Sequence, residues 1–204
     1  MIKILGLYGN IGSGKTTLIN YLLSTDIGKY LHYISADLIG KSLLDENIVK
    51  LFIKNNFEHI IKDDTVDKSK LRDTLFNNPS SNKLYSNFIW PLISKEINNK
   101  ISKISSKEVK IIIVEASVID GLNINYNYKL LVCTKFISKK LQYKNIIKRD
   151  LNKTNYNQLK NIYRYQKKLN KQVKWDYKIK NNYKNIKLFF DRGYKIIKNL
   201  LIES

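Results

Sequence analysis

Gly9-Asn10-Ile11-Gly12-Ser13-Gly14-Lys15-Thr16 has the spacing G-x-x-x-x-G-K-[ST], and Thr17 follows it directly. Residues of these types in this order hold polyphosphate. Glycines let consecutive backbone N–H groups converge on phosphate oxygens. Lys15 brings a positive charge that reaches the β- and γ-phosphates, and the Thr16 hydroxyl is a ligand for Mg²⁺. The expected nucleotide-binding set is Asn10, Ile11, Gly12, Ser13, Gly14, Lys15, Thr16 and Thr17. ATP is the expected co-substrate, and Mg²⁺ its cation.

Two carboxylates stand where a second chemical role would be filled. Asp37 follows the strand-like run Tyr30-Leu31-His32-Tyr33-Ile34-Ser35, and Glu115 ends the run Val109-Lys110-Ile111-Ile112-Ile113-Val114. Open α/β folds bind ligands at the carboxyl ends of such strands. There Asp37 can take a proton from an attacking hydroxyl, or hold Mg²⁺ through water. Equally, Ser35 or Asp37 can be no more than the N-cap of the helix Leu38-Ile39-Gly40-Lys41-Ser42-Leu43. Glu115 can reach the Mg²⁺ shell or a bound substrate. His32 and His59 have no ligand-spaced partner. Cys133, the only cysteine, allows no internal disulfide and reads as a small apolar residue of a buried strand.

These groups need a scaffold. Strand-like runs at Ile2–Tyr8, Tyr30–Ser35, Val109–Glu115, Lys129–Cys133 and Asp176–Ile179 alternate with helical patterns. That alternation predicts a parallel sheet wrapped by helices. Helices are expected over Thr16–Ser24, Asn47–His59, Lys70–Asn77, Leu84–Ile104 and Leu188–Leu201, with Lys62–Asp67 as a polar turn. Pro91 either kinks a helix or begins one. Ser138–Lys180 is helical and basic, and reads as a lid in which Arg149 and its neighbours neutralise charge developing on the phosphates.

Length and charge bound the rest. The 204 residues suit one domain, and a hydrophobic fraction of 43% is enough for a core. The net charge is +20, from 37 Lys and Arg against 17 Asp and Glu. Such an excess suits nucleic acid or a membrane surface, or a lysine-rich solvated surface that also welcomes a polyanionic substrate. No nucleic-acid module pattern appears, which favours the second. No apolar run approaches the ~20 residues of a membrane span, and no signal-peptide pattern precedes the first strand. The expectation is a cytoplasmic monomer or small homo-oligomer, with no specific nucleic acid and no membrane insertion.

Taken together the motifs resemble the dephospho-coenzyme A kinase family. The resemblance rests on Gly6–Thr17, on Ile34-Ser35-Ala36-Asp37-Leu38-Ile39, on Leu71-Arg72-Asp73-Thr74-Leu75-Phe76-Asn77-Asn78-Pro79, and on Trp90-Pro91-Leu92-Ile93. Lys148-Arg149-Asp150, Gln166 and Asp176-Tyr177-Lys178-Ile179 extend it. Trp90 departs from the usual bacterial histidine, Val114–Asp120 from a V-P-L-L-F-E-like run, and Lys180-Asn181 from Asp-Asn. The resemblance implies an α/β P-loop NTPase fold that transfers the ATP γ-phosphoryl to the ribose 3′-hydroxyl of dephospho-CoA. It implies that Asp37 orients and deprotonates that hydroxyl, that Arg72 helps bind the acceptor, and that Arg149 acts from the lid. Thr16 holds Mg²⁺, with Glu115 assisting through water. One kinase domain is expected over 1–204, with its core at 1–35, 105–137 and 176–204. The acceptor-binding helical region would be 36–104 and the lid 138–175. A nucleoside or nucleotide kinase of the same architecture, and a basic nucleic-acid-binding ATPase, are the alternatives.

Overall fold

A computed structural model describes residues 2–104, 108–134, 139–149 and 156–202. In chain order its elements are β1 (Lys3–Tyr8), α1 (Lys15–Leu23), β2 (Leu31–Ser35), α2 (Ala36–Ser42), α3 (Asn47–Asn56), β3 (Ile61–Lys62) and β4 (Thr65–Val66). They continue as α4 (Lys68–Asn77), α5 (Pro79–Ser102), β5 (Ile111–Ala116), β6 (Tyr128–Thr134), α6 (Lys139–Arg149), α7 (Tyr156–Asn170), β7 (Tyr177–Asn181) and α8 (Ile186–Ile202). Five strands form one parallel sheet in the order β2-β5-β1-β6-β7. The expected parallel α/β architecture is what the chain adopts.

Side-chain parity explains how both faces of this sheet are covered. In β5, Ile111 and Ile113 face one way, and Ile112, Val114 and Ala116 the other. The first face packs on α1 and α8 through Leu18, Ile19, Leu22, Phe189, Ile197 and Leu200. The second packs on α2, α3, α4 and α5 through Ile39, Val49, Ile53, Leu71, Ile89 and Ile97. A strand buried on both faces needs a continuous apolar run, which is why 111–114 is unbroken Ile and Val. Each of these fully buried side chains contributes about 1.5–3 kcal/mol relative to exposure.

Helix ends follow local chemistry. The Asp67 carboxylate accepts from the Ser69 and Lys70 N–H groups and caps α4. Asn78 caps α5 by accepting from Ser80 and Ser81 N–H, with Pro79 at the first turn, where its missing N–H costs nothing. Pro91 lies inside α5, which runs through it as a single helix. The segment 62–67 is not merely a polar turn: Ile61-Lys62 and Thr65-Val66 pair antiparallel around Asp63 and Asp64, whose φ values are 48° and 58°. Aspartate tolerates this left-handed backbone, so the pair makes a two-residue hairpin turn without glycine.

Burial raises the Tyr85 and Tyr8 phenols from 10.0 to about 12. Their neutral forms therefore stabilise the fold fully below pH 10, and that contribution is lost as pH rises through about 12. Urea midpoints measured from pH 9 to 12 are expected to fall across this window, less steeply in Tyr85→Phe. Among the described residues no helix is long and apolar enough to cross a membrane.

Candidate active site

β1 is the middle strand, and the chain leaves it toward β2 on one side while β6 lies on the other. Ligands of open α/β sheets bind at the carboxyl edge where the strand order reverses. Gly9–Gly14 occupies that edge, between β1 and the N-terminus of α1. Two of its glycines have no substitute. A Cβ on Gly9 would stand 2.0 Å from the Val132 carbonyl oxygen. Gly14, the residue before α1, has φ 97° and packs against Asn181 Nδ2. The Lys15 side chain is only 6% exposed, and its ammonium donates to the Gly9 carbonyl at 2.8 Å, closing the loop on itself.

The loop is held from outside as well. Asn181 Nδ2, at the end of β7, donates to the Ser13 carbonyl at 3.0 Å, and the Tyr183 hydroxyl donates to the Gly12 carbonyl. At the loop's tip the Ile11 peptide is gripped on both sides. Its N–H donates to Gln166 Oε1 on α7 at 2.7 Å, and its carbonyl accepts from Gln142 Nε2 on α6 at 2.6 Å. Asn170, further along α7, donates to Asn10 Oδ1 and to the Ser117 carbonyl, each at 3.0 Å. Ile11 also joins Ile146, Leu159 and Ile162 in an apolar cluster of its own. Helices α6 and α7 thus seat on the loop through amide side chains and a small apolar contact.

The two carboxylates occupy adjacent strand ends, in register across β2 and β5 at Ser35 and Glu115. Glu115 is 5% exposed; its Oε1 accepts from the Thr16 hydroxyl at 3.0 Å and its Oε2 from the Tyr33 hydroxyl. Burial, then the bond to Glu115, hold the Tyr33 phenol above its ordinary range, so Tyr33 stays a donor. The Thr16 hydroxyl and the Glu115 carboxylate form an oxygen-only donor set suited to a hard cation such as Mg²⁺.

The capping question at Asp37 is resolved by geometry. Ser35 is the N-cap of α2: its extended backbone precedes the helix, and its Oγ accepts from the Leu38 N–H at 3.2 Å. Asp37 sits in the first turn, exposed, with the Ser117 hydroxyl donating to its Oδ2 at 3.4 Å. Ser35→Ala is therefore expected to cost about 1 kcal/mol of stability, read as a lowered urea midpoint. Asp37→Ala should leave the cap in place.

Two adjoining cavities, each about 680 Å³, share Asp37 as a wall. One contains Ile11–Thr17, Glu115, Arg72, Lys41 and Tyr183. The other is lined by Tyr85, Trp90, Leu122, Tyr165, Arg164 and Lys168. Of the residues singled out from sequence, Lys15, Thr16, Glu115, Asp37 and Arg72 converge here. Arg149 closes α6, and its side chain lies outside the described residues. Asn181 entered the sequence reading only where Lys180-Asn181 departs from the family's Asp-Asn, and Tyr33, Ser117, Gln142 and Asn170 were not singled out. Only Tyr33 carried a signal: it alternates with Ser35 along one strand and so shares its face.

A family model described as dephospho-CoA kinase matches residues 3–187. A dephospho-CoA kinase of Photobacterium profundum is 35% identical over 109 residues, about half of each protein (52% of both). One from Buchnera aphidicola is 32% identical over 190 residues, covering 91% of this chain and 86% of the relative. The solved dephospho-CoA kinase from Campylobacter jejuni superposes with a TM-score of 0.61 at 23% identity, covering 100% of this chain and 99% of that one. That last likeness is one of fold.

Proposed function

The chain belongs to the dephospho-CoA kinase family, and from that membership we propose that it transfers the γ-phosphoryl group of ATP to the ribose 3′-hydroxyl of dephospho-CoA. The observation that carries this reading is the place of Asp37, a wall common to the phosphate-loop cavity and to a second, aromatic one. A carboxylate at that junction meets a donor nucleotide from one side and an acceptor from the other.

In this reading the loop N–H groups and the α1 N-terminus hold the β- and γ-phosphates. Lys15 exchanges its bond to the Gly9 carbonyl for a phosphate oxygen. Asp37 orients the acceptor hydroxyl and takes its proton at a carboxylate oxygen. Thr16 and Glu115 would hold Mg²⁺, which would supply positive charge to offset that of the phosphates. Tyr33 keeps the Glu115 carboxylate turned toward Thr16. Arg72, in the wall of the phosphate cavity, assists the acceptor, and Arg149 acts from α6. Residues 36–104 are the acceptor-binding region and 138–175 the lid, which closes to exclude water. Catalysis is then mainly positioning and charge stabilisation.

A coupled ADP-release assay with Mg-ATP tests this, with dephospho-CoA, adenosine, AMP and single-stranded DNA compared as the added component. Release is expected with dephospho-CoA. Release only with adenosine or AMP would reassign the acceptor, and stimulation only by DNA would make the +20 charge the guide to function.

A further inference from the structure

We propose that Trp90 is the acceptor-recognition face of this site, and that its indole ring, seated on the Gly121 backbone, stacks the nucleobase of the acceptor. The proposal deepens the reading above and rests on it. A Cβ built on Gly121 would lie 1.6, 2.0 and 2.3 Å from Cε3, Cζ3 and Cδ2 of Trp90. The six-membered ring therefore occupies the space that any side chain at 121 would need. Ser94, 4% exposed, fixes the arrangement: its hydroxyl donates to the Trp90 carbonyl at 2.8 Å and accepts from the Asn123 N–H at 2.9 Å. Asn98 Nδ2 adds a bond to the Asn123 carbonyl at 3.2 Å. The segment after β5 is thus pinned to α5 at one end, and at the other Ser117 donates to Asp37.

Trp90 is half-buried and lines the same cavity as Asp37. A ring seated on backbone and lining a cavity offers a stacking surface to what fills that cavity, and base–aromatic stacking needs only a π-face. Arg164 and Lys168 line that cavity as well, so the occupant that fits is a planar base carrying phosphate. An acceptor whose ribose hydroxyl lies at Asp37 brings its base to this wall.

The chain has two tryptophans, so Trp175→Phe leaves Trp90 as the reporter. A nonhydrolysable ATP analogue first fills the phosphate loop; dephospho-CoA, AMP or 4′-phosphopantetheine is then titrated while tryptophan emission is read. Saturable quenching is expected with dephospho-CoA and with AMP, and none with 4′-phosphopantetheine. In kinetics, Trp90→Ala is expected to raise the acceptor KM about tenfold or more, and Trp90→Phe to raise it less, with the ATP KM unmoved. Gly121→Ala should raise the acceptor KM by displacing the ring, and should add little in the Trp90→Ala background. Unquenched emission while the enzyme phosphorylates dephospho-CoA would overturn the proposal and leave the activity standing. Quenching by 4′-phosphopantetheine alone, or an unchanged acceptor KM in Trp90→Ala, would also overturn it. Phosphorylation of AMP instead, with AMP quenching Trp90, would uphold the stacking and remove the dephospho-CoA assignment.

Discussion

Asp37→Asn is expected to lower turnover with dephospho-CoA by ~10²-fold or more, the usual scale for a lost general base, while ATP affinity stays within about twofold. The substitution is nearly isosteric and keeps a polar group for the Ser117 hydroxyl to meet. It removes the ability to hold a proton. Stability is not the confounder it would be elsewhere, because Ser35 and not Asp37 caps α2. Neutralising a first-turn carboxylate costs the helix only ~0.5 kcal/mol, far below the ~2.7 kcal/mol that a 10²-fold rate loss represents. The check is kcat and KM for both substrates, with a urea midpoint on the same preparation. A turnover within a few-fold of the parent would return Asp37 to an ordinary helix position.

Lys15→Met is expected to act on the other substrate. Its ammonium stands in the mouth of the loop, donating to the Gly9 carbonyl. Methionine retains the apolar stem of this buried side chain and deletes the charge. Removing one preorganised donor from a developing oxyanion costs about 10²–10³ in kcat, and the loss here should be of that order. Unlike Asp37→Asn, it should also raise the ATP KM, because the ground-state phosphates lose the same charge. The fold should survive at a cost of about 1–3 kcal/mol for the unpaired Gly9 carbonyl. Lys15→Arg should fail to rescue, since a planar guanidinium fork cannot take the place of a compact ammonium. Calorimetric titration with a nonhydrolysable ATP analogue separates the two effects.

The legible parts of this protein are those where chemistry is local in sequence. The phosphate loop needs its glycines, Lys15 and Thr16 within eight positions, so its residues could be named and their convergence anticipated. The apolar run 111–114 marked a strand of the sheet, and in the structure parity within it separates the two cores. What was not legible depends on distant parts of the chain. Gln142 and Gln166 grip one peptide of the loop from positions more than 130 residues away; Gln166 was named only through the family resemblance, without its bond to the loop, and nothing in the sequence marked Gln142. The Trp90 and Gly121 contact joins α5 to the segment after β5; Trp90 stood out in the sequence as a departure from the family's histidine, but nothing there paired it with Gly121. The hairpin at 61–66 escaped because two aspartates fill positions where glycine or asparagine is the usual sign. Asp37 fell between these cases: its place after β2 was readable, and the bond from the Leu38 N–H to Ser35 Oγ gives the cap to Ser35, which leaves the base role as the proposal for Asp37.

The most direct test of the central claim is the structure of the product. Purified protein would be incubated with Mg-ATP and dephospho-CoA, and the acceptor followed by mass spectrometry with fragmentation to locate the added group. A gain of one phosphoryl is expected, placed on the ribose 3′-oxygen, with one ADP formed per product and both falling together in Asp37→Asn. ADP formed without any mass gain on dephospho-CoA, or a phosphoryl group found elsewhere on it, would show that the transfer proposed here is not the reaction.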